Sequence, residues 1–162
     1  MLGVRTLKEL TELNLNNCSN LFKNKSVHHI TPTAEVLQID GEKNTDFPVL
    51  TKLIINNCAH LKKIVITKHN YIREIVCTNN PNLTEIVISD NPLLATINLV
   101  DNTHLTKVTI HNNASLRSIE IPSGGDDYQQ CKITSNQKLQ SINSTTIGTA
   151  NFNGITFADN SA

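Results

Sequence analysis

Between Leu61 and Ile121 the chain reads LKKIVITKHNY (61–71), IREIVCTNNPN (72–82), LTEIVISDNPL (83–93), LATINLVDNTH (94–104), LTKVTIHNNAS (105–115) and LRSIEI (116–121). Each complete piece has eleven residues and an apolar side chain at places 1, 4 and 6, and four of the five carry Asn at place 9. Self-similarity at a fixed short period is the mark of a repeat architecture. The frame extends outward from this stretch. Upstream it fits Leu50-Thr-Lys-Leu53-Ile-Ile55-Asn-Asn-Cys58, and earlier Leu10-Thr-Glu-Leu13-Asn-Leu15-Asn-Asn-Cys18. Between these, Val36-Leu37-Gln38-Ile39 restores one strand-like unit within an irregular segment. Downstream, Pro122-Ser-Gly-Gly-Asp-Asp127 is a run of strong turn formers. The frame then returns one residue late as Tyr128-Gln-Gln-Cys131-Lys-Ile133-Thr-Ser-Asn136, and again at Leu139 and Ile142. The tail, with Ile147, Phe152, Ile155 and Phe157, is apolar in patches but out of frame, and reads as a last strand or two.

Places 4 and 6 lie two residues apart, so their side chains share one face of a strand, while place 5 points the other way. An eleven-residue unit is too short for a strand plus an ordinary helix. It is read as half a coil, with a bend at about place 9. Two units make a coil of about 22 residues with a parallel strand on each side, and coils stack about 4.8 Å apart. Ten or eleven units give roughly five coils and a rod on the order of 25 Å long. One sheet is expected to hold the units starting at Leu50, Ile72, Leu94 and Leu116, the other those at Leu61, Leu83 and Leu105. A bend strips backbone groups of their strand partners, and leaving such groups buried costs about 1–3 kcal/mol each. An inward Asn offers both a donor and an acceptor to satisfy them. Asn80, Asn91, Asn102, Asn113 and Asn136 are therefore expected to stack as a structural ladder, with Cys58 and His69 in the same place of other units.

The pattern L-x-x-L-x-L-x-x-N/C-x-x-L, carried here by LTEIVISDNPL and LATINLVDNTH, resembles the strand segment of the leucine-rich repeat family. The resemblance covers most of 10–144. It implies a variant in which both halves of a repeat carry the consensus, and it implies protein binding as a family tendency, since a fold does not fix a function. The expected fold class is an all-β solenoid, a leucine-rich-repeat-like stack of about 22-residue coils with parallel sheets on two sides and little helix. One repeat domain, 1–162, is expected, divided into a first unit (10–21), an irregular coil or insert (22–49), regular repeats (50–121), a turn insert (122–127) and degenerate terminal repeats (128–162).

Composition removes several functions. With 14 basic and 14 acidic residues the net charge is formally zero, which leaves no electrostatic argument for nucleic acid or for an anionic membrane surface. No apolar run is long enough to span a bilayer. The start, MLGVRTLKELTELNL, carries charges where a secretory signal needs an apolar core. Cys18, Cys58, Cys77 and Cys131 all fall on inward places and read as buried free thiols, which favours a reducing, cytoplasmic compartment while leaving a secreted or surface location open. The spacing of His28, His29, His60, His69, His104 and His111 points to no metal site, and Asp126-Asp127 lacks the repeated glycine–aspartate motif of a calcium turn. No nucleophile elbow, phosphate loop or dinucleotide fingerprint occurs. The acids Glu74, Glu85 and Glu120 are scattered over both faces. No catalytic residue, cofactor or metal is therefore expected.

What remains is surface. At places 3 and 5, Lys63, Glu85, Ile54, Val65, Val76 and Val87 face outward in the first half of the regular stretch and form the candidate partner-binding surface. The expected function is a non-enzymatic protein–protein interaction module; the alternative is a structural or adhesive rod segment of a larger surface or fibre protein. Its partner would be another protein, or further repeats of the same polypeptide.

Overall fold

The structure, a computed structural model, describes residues 12–14, 36–40, 49–122, 129–144 and 155–160. Twelve strands appear among them: β1 (Glu12–Asn14), β2 (Val36–Asp40), β3 (Lys52–Asn56), β4 (Lys63–Thr67), β5 (Glu74–Thr78), β6 (Glu85–Ser89), β7 (Thr96–Asn98), β8 (Lys107–His111), β9 (Ser118–Ile121), β10 (Gln130–Thr134), β11 (Ser141–Ser144) and β12 (Ile155–Ala158). Odd-numbered strands form one six-stranded sheet in the order β1-β3-β5-β7-β9-β11, here sheet A. Even-numbered strands form the other, β12-β10-β8-β6-β4-β2, here sheet B. Every pairing is parallel. The molecule is thus a β-solenoid in which the chain alternates between the two sheets, with no helix among the described residues. The units starting at Leu50, Ile72, Leu94 and Leu116 lie in sheet A and those at Leu61, Leu83 and Leu105 in sheet B.

Strands β3 to β6 each occupy places 3 to 7, with the second and fourth residues buried and the others half-exposed, as in Lys63–Thr67. The inward residues of facing sheets and the place-1 residues of the corners make one core, including Leu53, Ile55, Ile64, Ile66, Ile86, Ile88, Val108, Ile110, Ile119 and Ile133. Full burial of such a side chain contributes about 1.5–3 kcal/mol. No half-coil could bury this apolar row alone; the stack does so by giving each row a facing row.

The bend lies one residue earlier than the spacing suggested. Asn57, Lys68, Asn79, Asp90, Asp101, Asn112, Ser135 and Asp159 all have φ between 53° and 60°. These are the place-8 residues. The left-handed turn there reverses the chain, and Asn and Asp tolerate it better than other non-glycine residues. Place 9 then points inward. Its carbonyl accepts the amide of the next place 1, as in Leu83 to Asn80 at 3.1 Å and Leu116 to Asn113 at 3.0 Å.

Partner residues lie 22 apart through the regular stretch (Lys52 with Glu74, Lys63 with Glu85), 23 apart after the turn insert (Lys107 with Gln130) and 24 apart at the end (Cys131 with Ile155). The one-residue delay read at Tyr128 is therefore a real register slip. The tail corrects the sequence reading: Ile155 and Phe157 pair with Cys131 and Ile133, so the frame is kept. Phe152, Ile155, Phe157 and Asn160 are places 1, 4, 6 and 9 of a full unit. The two-residue lengthening before it hid the match. Cys18, His28, His29, Tyr128, the turn at 123–127 and most of the 22–49 segment lie outside the described residues.

Candidate functional site

Two ladders of buried amides run along the corners. At the corner after sheet A, Cys58 N–H donates to Asn80 Oδ1 and Asn80 N–H to Asn102 Oδ1, both at 3.0 Å. At the corner after sheet B, His69 N–H donates to Asn91 Oδ1 (2.9 Å), Asn91 N–H to Asn113 Oδ1 (3.1 Å), and Asn113 N–H to Asn136 Oδ1 (3.0 Å). Asn136 N–H then donates to Asn160 Oδ1 at 2.9 Å, a rung that spacing alone missed. Each side chain also donates Nδ2 to the strand end of the preceding coil: Asn80 to Ile55, Asn91 to Ile66, Asn102 to Cys77, Asn113 to Ile88 and Asn136 to Ile110. The ladder has a direction, each Asn satisfying the coil before it. Asn113, which sits in an Asn-Ala-Ser sequence, is fully buried in it.

His69 fills its rung differently. Its Nδ1 accepts the amides of Tyr71 and Ile72 at 3.3 and 3.2 Å, so the imidazole is neutral at that nitrogen and closes its own turn. Cys58, Cys77 and Cys131 are buried, and none of the three is in a disulfide. Burial pushes the Cys77 thiol far above its ordinary range, the nearby Cys58 adds to this, and the Asn80 amide bond to its sulfur works against it. Burial pushes the Cys131 thiol up to about 12. A nucleophilic or metal-binding thiolate is disfavoured at both positions.

The outward candidates fall on two faces. On sheet A, Lys52 pairs with Glu74 and Ile54 with Val76. On sheet B, Lys63 pairs with Glu85 and Val65 with Val87. The ammonium–carboxylate distances are 3.2 and 2.6 Å. Ile54, Val65, Val76 and Val87 are all half-buried, covered in part by the strands beside them. Of the six residues singled out from sequence, Ile54 and Val76 lie on sheet A and Lys63, Glu85, Val65 and Val87 on sheet B; Lys52 and Glu74 complete the matching group on sheet A. Polar residues border each: Asn98 and Glu120 follow Val76 on sheet A, and Thr109 and Lys132 follow Val87 on sheet B.

At the corner after sheet B, Lys68, Asp90 and Asn112 with Asn70, Pro92 and Ala114 line an open trough of about 430 Å³. It is the outer side of the repeated place-8 turn. Asn112 Nδ2 donates to Asp90 Oδ1 at 2.7 Å. That bond, helped by the nearby Ser89, His111 and Lys68, holds the Asp90 carboxyl below its ordinary range against the opposing effect of burial. Among the described residues no three His, Cys, Asp or Glu side chains stand together in a way that could hold a metal ion. No helix among them is long and apolar enough to cross a membrane. No family model matches the chain, and neither the curated proteins nor the solved structures searched contain a match.

Proposed function

We propose that this chain is a non-enzymatic protein-interaction module, a doubled-half variant of the leucine-rich repeat type, that offers its flat sheet faces to another protein. The observation that carries the reading is the pair of half-buried apolar residues on each face, set beside a Lys–Glu pair and bordered by polar residues. An apolar centre inside a polar rim is the usual anatomy of a recognition surface. The inward polar residues are committed to the ladder, which leaves the faces as the part of the molecule with groups to offer.

The test is affinity capture with crosslinking. Wild-type protein is expected to retain a partner that Ile54→Lys with Val76→Lys, or Val65→Lys with Val87→Lys, no longer retains. Capture that is unchanged by all four substitutions, or that finds no partner, overturns the reading. A second reading, a structural or adhesive rod segment, draws on the ladder that runs from His69 to Asn160 across five coils. In that case face substitutions leave capture unchanged, while ladder substitutions weaken the rod.

A further inference from the structure

The two faces share one four-residue group, and beyond it they differ, with Asn98 and Glu120 on sheet A against Thr109 and Lys132 on sheet B. Advancing eleven residues and crossing to the other sheet carries Lys52, Ile54, Glu74 and Val76 onto Lys63, Val65, Glu85 and Val87. Both sets keep their register and their ion pair. A surface that occurs twice on opposite sides of a thin rod has two seats for one kind of partner.

We propose that the partner these faces fit is a second copy of this chain, bound face to face through a two-fold axis that runs along the strands. This rests on the interaction-module reading and names its partner. Each face is complementary in charge to itself. Along the solenoid axis each face presents a Lys and then, one coil on, a Glu. A two-fold along the strand direction reverses that axis. It sets Lys52 over Glu74 of the other copy and Glu74 over its Lys52, with Ile54 over Val76 and Val76 over Ile54. The sheet B group matches itself in the same way. A two-fold contact must be self-complementary, and a Lys–Glu step is the shortest charged motif that is. The ion pair within each chain does not use up its groups. An ammonium has three donors and a carboxylate about four acceptor sites, so each pair can join its counterpart in a four-membered network. Facing sheets pack about 10 Å apart, a gap that Ile and Val side chains from both sides fill.

The contact is small. The two-fold lies between the Lys strand and the Glu strand, so four strands of each copy overlap, a patch of about 16 Å by about 19 Å, on the order of 300 Å² per copy. That is well under half of what a standard stable interface uses, so association depends on concentration. Because each chain carries two such faces, copies add alternately through sheet A and sheet B and the assembly grows past the dimer.

Sedimentation equilibrium from about 10 µM to about 500 µM reads this directly. The wild-type mass is expected to rise with concentration beyond twice the 17.9 kDa monomer. Ile54→Lys with Val76→Lys stops growth at the dimer, Val65→Lys with Val87→Lys does the same through the other face, and all four together give a monomer with an unchanged circular dichroism spectrum. In the Val65→Lys, Val87→Lys background, Lys52→Glu with Glu74→Lys keeps self-association but refuses unswapped copies, since mixing sets like charges opposite each other. A wild-type protein that stays monomeric throughout, a four-fold variant that still associates, or swapped and unswapped copies that mix freely overturns the proposal. If the wild type is monomeric while affinity capture still depends on the faces, the module binds a different protein and only this inference fails.

Discussion

The two corners of the solenoid solve the same problem unequally. From Lys63 on, each passage from sheet B to sheet A takes eleven residues: Lys63 to Glu74, Glu85 to Thr96, Lys107 to Ser118 and Gln130 to Ser141. Passages from A to B take eleven through the regular stretch, then twelve from Ile119 to Cys131 and thirteen from Ile142 to Ile155. The constant corner is the one with an Asn ladder continuous from Asn91 to Asn160. At the other corner, place 9 counted along the sequence runs Asn80, Asn102, Gly124 and Ile147, so the Asn pattern ends where the lengths begin to vary. A buried rung fixes corner length, because its Oδ1 and Nδ2 must meet the backbone of the coil before it. A corner without a rung tolerates extra residues at the modest cost of a longer loop.

Substitutions separate the two corners. The largest effect should come from the core that both corners serve: Ile110→Ala is expected to cost about 2–5 kcal/mol in chemical denaturation. Next is a rung of the constant corner. Asn113→Ala leaves the Asn91 amide and the Ile88 carbonyl without their partner, and should cost about 1–3 kcal/mol. One Gly inserted between Ala114 and Ser115 should destabilise by a similar amount, because it separates Asn113 from Leu116 and shifts the half-coil. The same Gly inserted between Gly124 and Gly125 should cost less than about 0.6 kcal/mol. Equal costs for the two insertions would refute the idea that the ladder sets corner length. Outward Thr109→Ala should cost well under about 1 kcal/mol; a loss larger than that of Ile110→Ala would invert the inside–outside assignment. Finally, Cys58, Cys77 and Cys131 should resist a thiol reagent at pH 8 until the protein unfolds, so at most one of the four thiols should react in native protein.

Much of this architecture is legible in the sequence. The inward side of every half-coil from Leu50 to Ile133, the division of units between sheets, and the amides at Asn80, Asn91, Asn102, Asn113 and Asn136 follow from an eleven-residue period and the need to satisfy a buried bend. Two things escaped. The place-8 turn was hidden because Asn, Asp, Lys and Ser share that position, and no single residue type announces a positive φ. The last coil was hidden because a two-residue lengthening moved Ile155, Phe157 and Asn160 out of phase, although they keep the same internal spacing.

The outward candidates show the remaining gap. Ile54, Val65, Val76 and Val87 can be placed outward by counting, because the alternation of a strand is a local rule. Their division between the two sheets follows from the same count. The ion pairs Lys52–Glu74 and Lys63–Glu85 join residues 22 apart and required the register. Period and polarity act within a few residues, so they settle which side chains turn inward and that each half-coil must lean on another. How the coils align and where they slip depends instead on backbone hydrogen bonds between coils, which no local pattern encodes.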